Sequence, residues 1–99
     1  MAAVLMKAGD LQKGDMNVVK VNDRETLLLN VDGRVYGLEN LCIHGGCRLL
    51  HGKLEGGRIT CPCHGSVFDV ATGAVVNGPA VSPQPSVTVV VKDGGICLA

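Results

Sequence analysis

Cys42-Ile43-His44-Gly45-Gly46-Cys47 reads CIHGGC, and Cys61-Pro62-Cys63-His64-Gly65 reads CPCHG. In each stretch a cysteine precedes a histidine, by one intervening residue for Cys42 and His44 and by two for Cys61 and His64. Sixteen residues, Gly45 to Thr60, separate the two pairs. Two thiolates and two imidazoles could bind zinc tetrahedrally, but structural zinc patterns group Cys with Cys and His with His across about two to five residues. A one-residue gap suits a loop that presents ligands to two neighbouring atoms better than a knuckle that grips one. Covalent haem attachment needs Cys-x-x-Cys-His, which TCPCH lacks.

The rest of the chain limits what surrounds this pattern. Ninety-nine residues make one small domain with one core, which an added cross-link would help to stabilise. Nine basic residues balance nine acidic ones, so no broad field draws the protein to nucleic acid or an anionic membrane. The first fifteen residues pass from mild hydrophobicity into turn residues, unlike a signal peptide. No window holds the roughly eighteen apolar residues of a membrane span, so a cytoplasmic protein without a membrane anchor is expected. Five cysteines in such a chain point to metal or redox chemistry.

Fourteen glycines, two aromatic residues and many short Val, Leu and Ile runs predict an all-β domain. The clearest hairpin joins Thr26–Val31 to Arg34–Leu38 through Asp32-Gly33, a dipeptide that accepts the positive φ of a type I′ turn. Further strands are expected at Asn17–Val21 and, as one inner strand closed by Asp93-Gly94-Gly95, at Ser86–Lys92. Residues 1–39 and 86–99 then form a base of sheet. From about 40 to 85 cysteine, histidine, glycine and proline dominate, with strands only at Arg58–Thr60 and Val67–Val70.

Cys-x-His, sixteen residues, Cys-x-x-His resembles the ligand signature of Rieske [2Fe–2S] proteins. The words CIHGGCRL, CPCHGSVFD, Thr72-Gly73 and Asn77-Gly78-Pro79-Ala80 stand where that family has its first cluster loop, second cluster loop, following turn and proline loop. The resemblance implies an antiparallel β-sandwich of the Rieske type, with a small cluster-binding subdomain inserted in a base sheet. It implies one [2Fe–2S] cluster, with Cys42 and Cys61 on a buried iron and His44 and His64 on an outer one. Two ferric ions and two sulfides sum to +2, so four thiolates would leave −2, whereas two thiolates and two neutral imidazoles leave zero. An electron enters a neutral cluster more readily, in line with about −150 to +300 mV for such centres against about −400 mV for plant-type ferredoxins.

The resemblance also implies a disulfide between Cys47 and Cys63, as in the family members that carry both cysteines, tying the two loops together. It makes Ser66 a hydroxyl donor to a bridging sulfide, Gly45, Gly46 and Gly65 positions where backbone N–H groups approach the sulfides, and Pro79 a rigid lid. Phe68 departs from the high-potential respiratory members, whose tyrosine hydroxyl reaches a ligand sulfur; phenylalanine has no donor. His51 matches no ligand position and is expected at the surface, and Cys97 is expected to be inert. The reading is a monomeric electron carrier, not an enzyme, that passes one electron between a reductase and a terminal oxygenase or another redox protein. A soluble relative of respiratory Rieske proteins, the small subunit of a nitrite reductase and a zinc-binding interaction module are the alternatives.

Overall fold

A computed structural model describes residues 4–99; the first three residues of the expected base lie outside the described residues. Among the described residues, eleven strands form three antiparallel sheets. The middle sheet contains β2 (Met16–Val21), β3 (Arg24–Val31), β4 (Arg34–Glu39) and the short β9 (Ser86–Val87), in that order. The terminal sheet orders β1 (Val4–Lys7), β11 (Gly95–Leu98) and β10 (Val89–Lys92). The third consists of β5 (Lys53–Glu55), β6 (Arg58–Thr60), β7 (Val67–Asp69) and β8 (Val75–Asn77).

β3 explains the layering. Its run Thr26-Leu27-Leu28-Leu29-Asn30 is buried throughout, and strand side chains alternate between faces. Leu27 and Leu29 join Leu38 in a core with Leu49, Ile59, Phe68, Val70 and Ala80. Leu28 points the other way, into a second core with Leu11 and Ile96, so the single core expected of this length is divided in two by the middle sheet. A strand buried on both faces reads as a continuous apolar run rather than an alternating one, and one sheet thereby separates the cluster loops from the terminal strands.

The all-β expectation agrees with the fold, and the Asp32-Gly33 hairpin has both residues at positive φ, 52° and 93°, with Val31 paired to Arg34. Asn22-Asp23, Gly56-Gly57 and Asp93-Gly94 share this left-handed signature at three other two-residue hairpin turns. Three expectations need correction. Ser86–Lys92 is not one inner strand: it breaks at Thr88, β9 pairing at the edge of the middle sheet and β10 at the edge of the terminal one. The stretch 40–85 has four strands rather than two, because Lys53–Glu55 and Val75–Asn77 extend the sheet on either side. Val4–Lys7 and Gly95–Leu98 add a strand pair that turn-rich flanks had hidden.

Candidate metal centre

The two loops share one backbone frame. In the first, the Cys42 N–H donates to the Cys47 carbonyl at 2.7 Å and the Gly46 N–H to the Cys42 carbonyl at 2.8 Å. In the second, the Cys61 N–H donates to the Ser66 carbonyl at 2.8 Å and the Gly65 N–H to the Cys61 carbonyl at 3.1 Å. Gly46 and Gly65 have nearly the same left-handed φ, 75° and 78°, which residues with a Cβ rarely adopt. Six-residue windows starting at Cys42 and Cys61 therefore correspond position by position. The third place is His44 in one loop and Cys63 in the other, and the fourth is Gly45 and His64.

This frame puts thiols inside and imidazoles outside. Cys42 and Cys61 are 3% and 2% exposed, whereas His44 and His64 are exposed with ring centroids 4.9 Å apart, edge to face. Burial pushes the Cys42 thiol pKa up, and the facing Cys61 thiol pushes the same way; backbone N–H groups of His44 and Gly45 pull against them. A buried thiolate pair is unfavourable unless cations neutralise it, and two N–H groups already aimed at one sulfur suit its ionised form. Among the described residues no three Cys, His, Asp or Glu side chains surround a single point as one ion needs. The separation of two buried thiols from two exposed imidazoles suits a binuclear group, one metal to each pair.

Cys47 and Cys63 form a disulfide with Cα atoms 6.3 Å apart. Ser66 is fully buried, and its Oγ accepts the Ala80 N–H at 3.1 Å, which leaves the hydroxyl proton for another acceptor. Pro79 is exposed beside Ala80. A Cβ on Gly45 would lie 3.3 Å from the His64 ring, so Gly45 makes room for the imidazole. Phe68 is fully buried in the core. His51 is exposed in the 3-10 turn Leu49–His51 that follows the first loop, and Cys97 is buried in β11 of the terminal sheet.

Residues that the motif did not single out hold the loops. Asn40, fully buried, donates to the Glu25 carboxylate at 2.8 Å and accepts the Leu50 N–H at 3.0 Å. Arg48 reaches the same carboxylate with two nitrogens, at 3.1 and 3.3 Å. The Arg48 bonds, followed by that of Asn40, hold the Glu25 pKa below its ordinary value. Both stems of the first loop are thereby fastened to β3. Gln84, 1% exposed, bonds to the first loop from the segment after the proline. An isolated glutamine between Pro83 and Pro85 carries no sequence signal of burial.

The model of the Rieske [2Fe-2S] domain family matches residues 1–91. The chain belongs to the Rieske family. This Rieske protein is 46% identical over 70 residues to the ferredoxin component of naphthalene 1,2-dioxygenase/salicylate 5-hydroxylase systems from Ralstonia sp, a match covering 71% of this chain and 67% of the relative. Its fold is similar to that of the ferredoxin of carbazole 1,9a-dioxygenase from Nocardioides aromaticivorans IC177, with TM-score 0.93 and 30% identity over 100% of this chain and 97% of the other. A ferredoxin solved in complex with the oxygenase of carbazole 1,9a-dioxygenase gives TM-score 0.91 and 32% identity, covering 99% and 92%. The Rieske chain is accordingly a ferredoxin, an electron carrier rather than a catalyst, and its cofactor is a Rieske-type [2Fe–2S] cluster. No helix among the described residues is long and apolar enough to cross a membrane.

Proposed function

We propose that the protein is a cytoplasmic, soluble and monomeric ferredoxin, one Rieske domain over 1–99, that carries electrons from a reductase to the terminal oxygenase of a multicomponent dioxygenase. Cys42 and Cys61 hold the inner iron and His44 and His64 the outer one. When bound, the cluster supplies a single reversible one-electron step. The carrying observation is the asymmetry of the site: two buried cysteines beneath two exposed imidazoles. Leu41 and Ile43, on either side of Cys42, are half-exposed, and Val81, next to Ala80, is 93% exposed. A partner that covers these side chains removes water from the histidine edge and brings its own acceptor close.

The chain's residues set the potential from both sides. Ser66, held by Ala80, offers a proton that favours the more negative reduced form. Phe68 offers none where a tyrosine would, so the potential falls short of the respiratory range. The Cys47–Cys63 disulfide and Ser66 favour the second reading, a soluble relative of respiratory Rieske proteins. A redox titration of the purified protein across pH decides between them. A negative potential, flat until alkaline pH, is expected for the oxygenase ferredoxin; one well above zero that falls with pH near neutrality would overturn it.

A further inference from the structure

We infer that Gln84 is a positioning residue for Cys42, clamping the peptide groups on either side of it so that the thiol is fixed toward the buried iron. The inference rests on the reading of Cys42 as a ligand. The Gln84 side-chain amide donates through Nε2 to the Leu41 carbonyl at 2.8 Å and to the Glu39 carbonyl at 2.7 Å, and its Oε1 accepts the Ile43 N–H at 2.8 Å. Leu41 C=O and Ile43 N–H are the two groups that an antiparallel neighbour of residue 42 would bond. One planar amide, with donor and acceptor side by side, replaces that neighbour. The Cys42 N–H and carbonyl are meanwhile taken by Cys47 and Gly46. Every backbone polar group from the Leu41 carbonyl to the Ile43 N–H is therefore engaged, and both dihedrals of Cys42 are determined.

The second loop shows why the first needs this clamp. Cys61 follows β6, whose ladder holds Thr60 against Lys53 and Val67. It precedes Pro62, which has no N–H to satisfy and a ring-fixed φ. Ile43 occupies the place of Pro62 in the shared frame and carries a free rotation and an N–H. Gln84 answers both. The amide is itself anchored, since the Gln84 N–H donates to the Gly73 carbonyl at 2.8 Å and a Cβ on Gly73 would collide with the Gln84 carbonyl oxygen.

The test uses the holoprotein. Gln84→Met keeps length and apolar volume but removes all three bonds, and Leu28→Ala, in the other core, controls for plain loss of stability. For Gln84→Met the expected results are altered g-values of the reduced cluster, a shifted midpoint potential and cluster loss at least about tenfold faster, tenfold being the effect of one lost buried hydrogen bond of the three. Leu28→Ala is expected to melt earlier with unchanged g-values and potential. Wild-type g-values and potential in Gln84→Met would overturn the clamp. Should that variant fail to assemble, hydrogen exchange on the wild-type protein decides: Ile43 must exchange as slowly as Cys42, and a rate typical of exposed loop refutes the proposal. Cys42→Ser separates the two readings. A full cluster in that variant would sink the ligand assignment, whereas cluster loss there together with an unchanged Gln84→Met would sink the clamp alone.

Discussion

Replacing Cys47 by serine separates what the disulfide contributes from what the cluster contributes. The bridge joins residues 16 apart, and closing such a loop is worth about 3 kcal/mol in the chain-entropy model. In the cluster-free protein that loss corresponds to a fall in melting temperature of about 12–24 °C for a domain of this size. On the proposed ligand set, a cluster held through His44 and His64 already joins the loops, and the bridge closes only the three links from His44 to Cys47 and the one from Cys63 to His64. A fourfold shorter loop reduces the closure entropy by about 1.2 kcal/mol. The holoprotein is therefore expected to lose about 1.8 kcal/mol, about 40% less than the apoprotein. Thermal melts at one scan rate, by circular dichroism for the apoprotein and by visible absorbance for the holoprotein, give the two shifts. Cys63→Ser and the double variant should match Cys47→Ser in each form. Equal shifts in apo- and holoprotein, or a double variant weaker than either single, would show that cluster and bridge do not restrain the same loops.

Three other outcomes follow from the site. His64→Cys, if it assembles, should lower the potential and weaken its pH dependence, because a thiolate adds charge and removes a titratable ring; an unchanged titration refutes His64 as a ligand. Glu25 has a lowered pKa through Arg48 and Asn40, so its contribution is present above pH 4.5 or so and is lost as pH falls through the folded pKa. The stability gap between wild type and Glu25→Gln should narrow from pH 6 to about pH 3 in melts across that range, and a constant gap counts against the pairing. Gly73→Ala places a Cβ at φ 81° against the Gln84 carbonyl; a loss of about 2 kcal/mol or more by denaturant titration is expected, and under about 0.5 would refute the contact.

The parts of the molecule legible in the sequence are those decided locally. Asp32-Gly33 specifies a turn by its own φ preference, and the spacing of Cys42, His44, Cys61 and His64 is a local word. Ser86–Lys92 misleads because Val87, Val89, Val90 and Val91 favour an extended chain whichever sheet they join, and the change of partner at Thr88 depends on where β4 and β11 lie. Lys53–Glu55 and Val75–Asn77 are three residues each, too short to show a period. Gln84, Asn40 and Glu25 look like surface residues, and only the fold brings them to the first loop. Glycine at 45 is visible, but its neighbour His64 is not.

The duplicated frame of the two loops gives the uneven spacing of the proposed ligands a simple meaning. Cys-x-His and Cys-x-x-His are two ways of filling the same six backbone positions, with histidine at the third in one loop and at the fourth in the other. The main chain need not move for the donors to be reassigned. Ligand sets of different charge can thus be written onto one scaffold by side-chain exchange, which makes the pair of loops a ready template for redesigning iron–sulfur potentials.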